Sequence, residues 1–265
     1  MSQYYKPDRN PNWNYGGERF RLSRSKISLY MECPRCFYID NKLGTARPPG
    51  YPFNLNSAVD VLLKKEFDMH RNGKSAHPLM KAYNLDAVPF DDPRMDEWRD
   101  ALKRGIQFRH KPTGFLISGG VDDVWVRPNG ELIIVDYKAT SKDGKIEELD
   151  QEWHLGYKRQ IEIYQWLFRQ NGFKVSDTGY FVYCNASRAE KAFDGKLIFE
   201  VTLIPYKGDD SWVEGTLLAI KRCLDSDELP AANEECDYCR YREFTGRKLH
   251  AHVRKSKKET GSLGL

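Results

Sequence analysis

The amino-acid sequence predicts a mixed α/β domain with helices packed on a β-sheet, and three observations support this. Apolar residues alternate with a period of two from Phe115 to Val126 and again from Leu132 to Ala139, as in paired strands. A second alternating pair runs through DTGYFVYCN and KLIFEVTLIPY. Before, between and after these pairs, the apolar spacing lengthens to the helical period, giving the order helix, hairpin, helix, hairpin, helix.

The elements follow in order. Residues 1–20, rich in Asn, Tyr, Pro and Gly, read as a disordered or extended arm. In that arm Tyr4, Tyr5, Trp13 and Tyr15 are candidates for stacking on single-stranded bases. Ser23 or Ser25 caps a helix through Ile27, Leu29, Tyr30 and Met31. It ends near Cys33-Pro34, because the residue before proline is pushed out of the α region. After the loop TARPPGYPFNLNS, a helix from about Ser57 to His70 places Val59, Leu62, Leu63 and Phe67 at helical spacing. Pro78, Pro89 and Pro93 interrupt residues 72–95, and a short helix spans Met95 to Lys103. GFLISGGVDDVWV and ELIIVDYKA are strands joined across Arg127-Pro128-Asn129-Gly130. A helix from Trp153 to Arg169 stops at Asn171-Gly172. The helix DSWVEGTLLAIKRCLDS follows the second strand pair, then a cysteine-bearing segment after Leu229-Pro230. Trp98, Trp125, Trp153, Trp166 and Trp212 are expected in the core, and the six histidines at the surface.

Length and composition bound the rest. A chain of 265 residues buries one sizeable core, and residues 21–246 are expected to form that domain, with 247–265 as a basic flexible tail. No stretch approaches the roughly 20 apolar residues that span a bilayer. The polar start MSQYYKPDRNPNWNYGG lacks the apolar segment of a secretory signal. A cytoplasmic, reducing location is therefore expected, in which the six cysteines are thiols or metal ligands rather than disulfides. A net charge of +4 permits a nucleic-acid partner without demanding one. The run with Arg247, Lys248, Arg254, Lys255, Lys257 and Lys258 either tracks phosphates or is a solvated tail. No G-x-x-x-x-G-K-S/T loop occurs, so any ATP-driven helicase is a separate partner.

The chemistry concentrates in the first hairpin. With a three-residue loop, Pro128 to Gly130, and Gly130 in the left-handed region, Arg127 pairs with Glu131 and Asp122 lies opposite Asp136. Lys138, two residues on, shares their face, while Val135 and Tyr137 point the other way. A two-residue loop would shift the register and part the acids. Two close carboxylates need a cation between them, either Lys138 itself or a divalent ion such as Mg²⁺. Such an ion beside a lysine supplies what phosphodiester hydrolysis needs. Gln160 and Tyr164, one helical turn apart, offer hydrogen-bonding groups on one face, and Asp60 is an extra acid on the earlier helix.

In order, G-V-D-D, I-V-D-Y-K-A-T and Q-I-E-I-Y resemble the motifs of the RecB-like group of PD-(D/E)XK nucleases. The opening S-K-I-S-L-Y-M-E-C-P-R-C-F-Y and closing L-P-A-A-N-E-E-C-D-Y-C-R-Y resemble that group's ends, so the likeness covers roughly residues 22–244. It implies a restriction-endonuclease-like core with a mixed central sheet flanked by helices. It also implies Mg²⁺ or Mn²⁺, and DNA as partner in repair, recombination or defence, as an exonuclease or an end or flap nuclease. Carried over by position, Asp122 and Asp136 ligand metal with the Tyr137 carbonyl, Lys138 is the catalytic lysine, and Gln160 and Tyr164 serve the substrate side. Two departures stand out. Asn56 and Asp60 occupy the places of the group's glycine and histidine, which leaves Asp60 as the metal ligand there and also admits a catalytically inactive nucleic-acid-binding module. Iron–sulfur members, including the AddB and CRISPR adaptation nucleases, use one early and three late cysteines, whereas Thr245 stands at the last of these positions. Here Cys33 and Cys36 face Cys236 and Cys239 as two C-x₂-C pairs, which suit structural Zn²⁺ or a 4Fe–4S cluster.

Overall fold

In the computed structural model, which describes residues 8–50 and 53–261 (backbone only beyond 254), the alternating segments form two sheets. The five-stranded sheet has the order β2 (Val88–Pro89), β5 (Asp123–Val126), β6 (Leu132–Thr140), β7 (Thr178–Ala186) and β8 (Phe199–Lys207). A three-stranded sheet joins β1 (Leu22–Ser23), β4 (Phe115–Gly119) and β3 (Ile106–His110). Both are mixed sheets: β6 pairs with β7, and β1 with β4, in parallel, and the other pairings are antiparallel.

The helices are α1 (Arg24–Glu32), α2 (Pro34–Asn41), α3 (Asn54–Asn72), α4 (Pro78–Ala82), α5 (Met95–Arg99), α6 (Leu155–Gln170), α7 (Trp212–Asp225) and α8 (Asp237–Gly261). By packing, the chain forms two units. Of the described residues, those within 21–24 and 50–217 make one unit, which holds both sheets, and those within 1–20, 25–49 and 218–265 make the other.

In the sheet-bearing unit, α3 and α6 cover opposite faces. From α3, Leu63 and Phe67 pack with Trp125, Ile133, Val135, Tyr137 and Val182. On the other side Ile161 of α6 meets Phe181, Tyr183 and Ile204. A strand crossing from β6 through α6 to a parallel β7 must be apolar on both faces, which explains the unbroken run Leu132–Val135. Phe67 lies fully buried, stacked with Trp125 at 5.3 Å and Tyr137 at 5.6 Å, and truncating it would cost about 3–5 kcal/mol.

The run GFLISGGVDDVWV, expected as one strand, serves both sheets: β4 ends at Gly119 and β5 begins at Asp123. The glycines explain the break. A Cβ on Gly120 would lie 2.4 Å from that of Ala101, and one on Gly119 would lie 2.6 Å from the Tyr164 ring. The backbone passes too close to its neighbours to carry side chains as it leaves one sheet for the other. β3, which carries no clear alternation, forms because β4 offers it a partner.

The smaller unit departs more from expectation. The helix that ends at Glu32 is followed by α2, with Pro34 at its first turn and Cys33 as N-cap, a position that tolerates proline's missing N–H. Of the expected free arm, residues 8–20 fold back: Asp8 bridges Thr45, Arg9 pairs with Asp40, and Asn10 caps a tight turn at Pro11–Trp13. Residues 1–7, with Tyr4 and Tyr5, lie outside the described residues. The basic run from Arg247, expected as a flexible tail, continues α8 to Gly261.

Candidate active site

The first hairpin closes in the three-residue form. The N–H of Arg127 donates to the Glu131 carbonyl at 3.0 Å, and Gly130 takes φ +77°. Pairing then runs Val126 with Leu132 through Asp123 with Val135, and one further step sets Asp122 opposite Asp136. Asp136 is fully buried and its carboxylate contacts the Lys138 ammonium. Asp122 Oδ2 accepts the backbone N–H of Tyr137 at 2.9 Å, which ties the two strands at the acids.

On the α6 side, Gln160 donates to Asp136 Oδ1 at 2.5 Å and lies 3.4 Å from the Tyr164 hydroxyl. Gly119 makes room for the buried Tyr164 ring. Arg24, at the start of α1, hydrogen-bonds Tyr164 and lies within the field of Asp136 and Asp122. No periodicity or motif marks Arg24 in the sequence; the β1–β4 pairing brings it there. Lys138 lies 4.5 Å from the centre of the Tyr157 ring.

On the α3 side, a cleft of about 110 Å³ is lined by Asn56, Asp60, Tyr137, Lys138, Ala139 and Tyr157, among others. Asn56 donates to the Ala139 carbonyl at 2.8 Å, fastening α3 to the end of β6. Asp60 does not join the hairpin acids directly. Lys64 stands between, 2.8 Å from Asp60 and 3.6 Å from Asp122. Among the described residues, the four ligand atoms of Cys33, Cys36, Cys236 and Cys239 all lie within 4.8 Å of one another. Lys64 was legible as the i+4 partner of Asp60, though its reach to Asp122 was not.

Burial dominates the electrostatics. It pushes the Asp136 carboxyl up to about 7, the Lys138 contact working against the rise and the Asp122 charge adding to it. For Lys138, burial would lower the pKa, but Asp136 and Asp122 outweigh it and hold the ammonium above its ordinary value. Beneath the acids lies a second, buried network. Asp123, fully buried, accepts from the Tyr137 hydroxyl at 2.8 Å and the Trp125 indole at 3.1 Å, and it contacts Arg71. Arg99 reaches Asp123 at 3.3 Å and Asp68 at 2.8 Å, and donates to the Asp122 carbonyl at 3.0 Å. Every charge there is paired, as burial demands, and Asp122 is held by its backbone.

Several expectations about single residues are corrected. Trp98, Trp125 and Trp166 are buried, but Trp153 is 47% exposed, with the Lys142 ammonium 4.3 Å from its ring centre. His77, His110 and His154 are buried rather than superficial; His77 bonds Glu66 and His110 bonds Thr113 and Glu214. Cys33, Cys36, Cys236 and Cys239 converge, all four buried and unbridged, into a group able to hold a metal ion.

The matching family is the PD-(D/E)XK nuclease superfamily, over residues 92–244. The chain belongs to that superfamily. No curated protein matches it. Among solved structures, one described as "Crystal structure of SSO0001" is similar at 17% identity, covering 83% of this chain and 82% of that one, with a TM-score of 0.34.

Proposed function

We propose that the chain is a metal-dependent DNA nuclease of the RecB-like group, cutting ends or flaps, or acting as an exonuclease, in repair, recombination or defence. The observation that carries the reading is the pairing of Asp122 with Asp136, Lys138 alongside, at one end of the β5–β6 hairpin. The donor set fits a hard divalent ion. A buried carboxyl held near 7 with an ammonium in contact is short of positive charge, and hard cations prefer carboxylate and carbonyl oxygens. Asp122, Asp136 and the Tyr137 carbonyl would hold Mg²⁺ or Mn²⁺, with Asp60 from α3. When bound, the ion would neutralise phosphate oxygens and acidify a water.

The chain's own groups do the rest. Lys138, held in place by Asp136 and the Tyr157 ring, presents a positive charge where the attacked phosphate gains negative charge. Gln160 orients Asp136, and the buried Tyr164, hydrogen-bonded by Arg24 and 3.4 Å from Gln160, braces that pair from behind rather than meeting substrate itself. A cleavage panel of linear, circular, single-stranded and flapped DNA, with RNA as comparison, tests the reading in Mg²⁺ and Mn²⁺. Cutting that EDTA abolishes is expected; no cutting of any substrate by metal-replete protein would overturn it.

One observation favours a second reading, a nucleic-acid-binding module without turnover. Lys64 already supplies a positive charge between Asp60 and Asp122. DNA binding that persists in EDTA, without cleavage, is its signature.

A further inference from the structure

The four cysteines sit closer together than an iron–sulfur cubane allows. Sγ of Cys36 lies 3.5 Å from Cys239 and 3.6 Å from Cys236, and Cys33 lies 3.7 Å from Cys239. In a tetrahedral thiolate site with Zn–S bonds of about 2.3 Å, the sulfurs stand about 3.8 Å apart. In a cubane each cysteine binds its own iron on the outside of the cluster, and the four sulfurs stand roughly 6 Å apart. With all four sulfurs within 4.8 Å of one another, the cluster would have to drive the three closest pairs about 2 Å further apart and the rest by at least about 1 Å, against Leu29 and Ala232, which pack on the group.

The surroundings stabilise metal-bound thiolates. Cys33 receives backbone N–H groups from Cys36 and Asn233, the knuckle arrangement that orients a first thiolate. Arg47 donates to Cys236 Sγ at 3.5 Å, and Arg242 donates to Cys36 at 3.3 Å and Cys239 at 3.2 Å. Four thiolates around one Zn²⁺ carry a net charge of −2, and two guanidinium groups balance it in a buried setting.

The structure assigns Cys33, Cys36, Cys236 and Cys239 to one mononuclear Zn²⁺ site, in place of the iron–sulfur cluster of the similar nucleases. Cys36 therefore supplies the fourth thiolate, in a sequence where Thr245 stands at the position of the last cysteine of the resembling nucleases. The assignment is independent of cleavage chemistry.

Metal analysis of full-length protein purified anaerobically tests it directly. About one zinc per chain, no acid-labile sulfide and a colourless solution are expected. Exchange with Co²⁺ should give the intense visible bands of a tetrahedral thiolate site. Cys36→Ser should lose at least tenfold in zinc affinity, while Cys184→Ser and Cys223→Ser retain full zinc, judged on protein whose circular dichroism is unchanged. Should Cys36→Ser not fold, the wild-type metal and sulfide content decides alone. A brown protein with several irons and matching sulfide would overturn the assignment. So would metal-free protein with a Cys36–Cys239 disulfide.

Discussion

Lys64 stands 3.6 Å from Asp122, so the acid at the head of the hairpin has an ammonium beside it before any metal binds. A divalent ion on Asp122 must share that carboxylate with Lys64 or push it aside. Lys64→Met should therefore tighten Mn²⁺ binding by about tenfold, near 1.4 kcal/mol, measured by titration calorimetry. Weaker binding in the variant would show that Lys64 organises the site rather than competing for it.

Metal binding should also depend on pH. The Asp136 pKa is raised to about 7, so its charged form predominates only above that value. Ca²⁺, used without nucleic acid so that no turnover occurs, should bind about tenfold more tightly at pH 8 than at pH 6, releasing close to one proton at the lower pH. Calorimetry in buffers of different ionisation enthalpy reads that proton. Affinity unchanged across this range would place the ion elsewhere.

Lys138→Ala should reduce cleavage by roughly 10²–10³-fold even at metal concentrations that saturate the site, because its charge is proposed to act on the phosphate. Asp136→Ala should lose both cleavage and metal affinity. Single-turnover rates with labelled DNA, alongside circular dichroism, separate these effects from misfolding.

Asp123 was not singled out from the sequence, yet it anchors the network beneath the site. Asp123→Ala leaves Arg71 and Arg99 buried without this partner, and should cost about 3–5 kcal/mol in urea denaturation. A loss under 1 kcal/mol would mean the two arginines find other partners.

Gly119→Ala tests the fit of Tyr164. The added methyl would meet the ring at 2.6 Å, so the side chain must move, at about 1–3 kcal/mol. A drop in cleavage with a changed near-ultraviolet spectrum is expected.

Much of the fold was legible because the signals were local. A proline-asparagine-glycine loop set the hairpin register, and that register alone put Asp122, Asp136 and Lys138 on one face. The helices α3, α6 and α7 announced themselves by period. What escaped depended on contacts distant in sequence. The division of GFLISGGVDDVWV between two sheets follows from how closely Ala101 and Tyr164 approach the glycines. Arg24 enters the site through a two-residue parallel pairing with β4, too short to leave a pattern. α2 was hidden because a proline that ends one helix also begins the next.

The cysteine pairs bear on how the polypeptide may be shortened. A fragment cut to the residues that match the superfamily, 92–244, would keep Cys236 and Cys239 and discard Cys33 and Cys36. Two bare thiols would then face solvent with half a coordination sphere, free to crosslink neighbouring molecules, and α3 with Asp60 would be gone as well. Trimming for crystallisation or fusion must therefore keep residues 33–239 together.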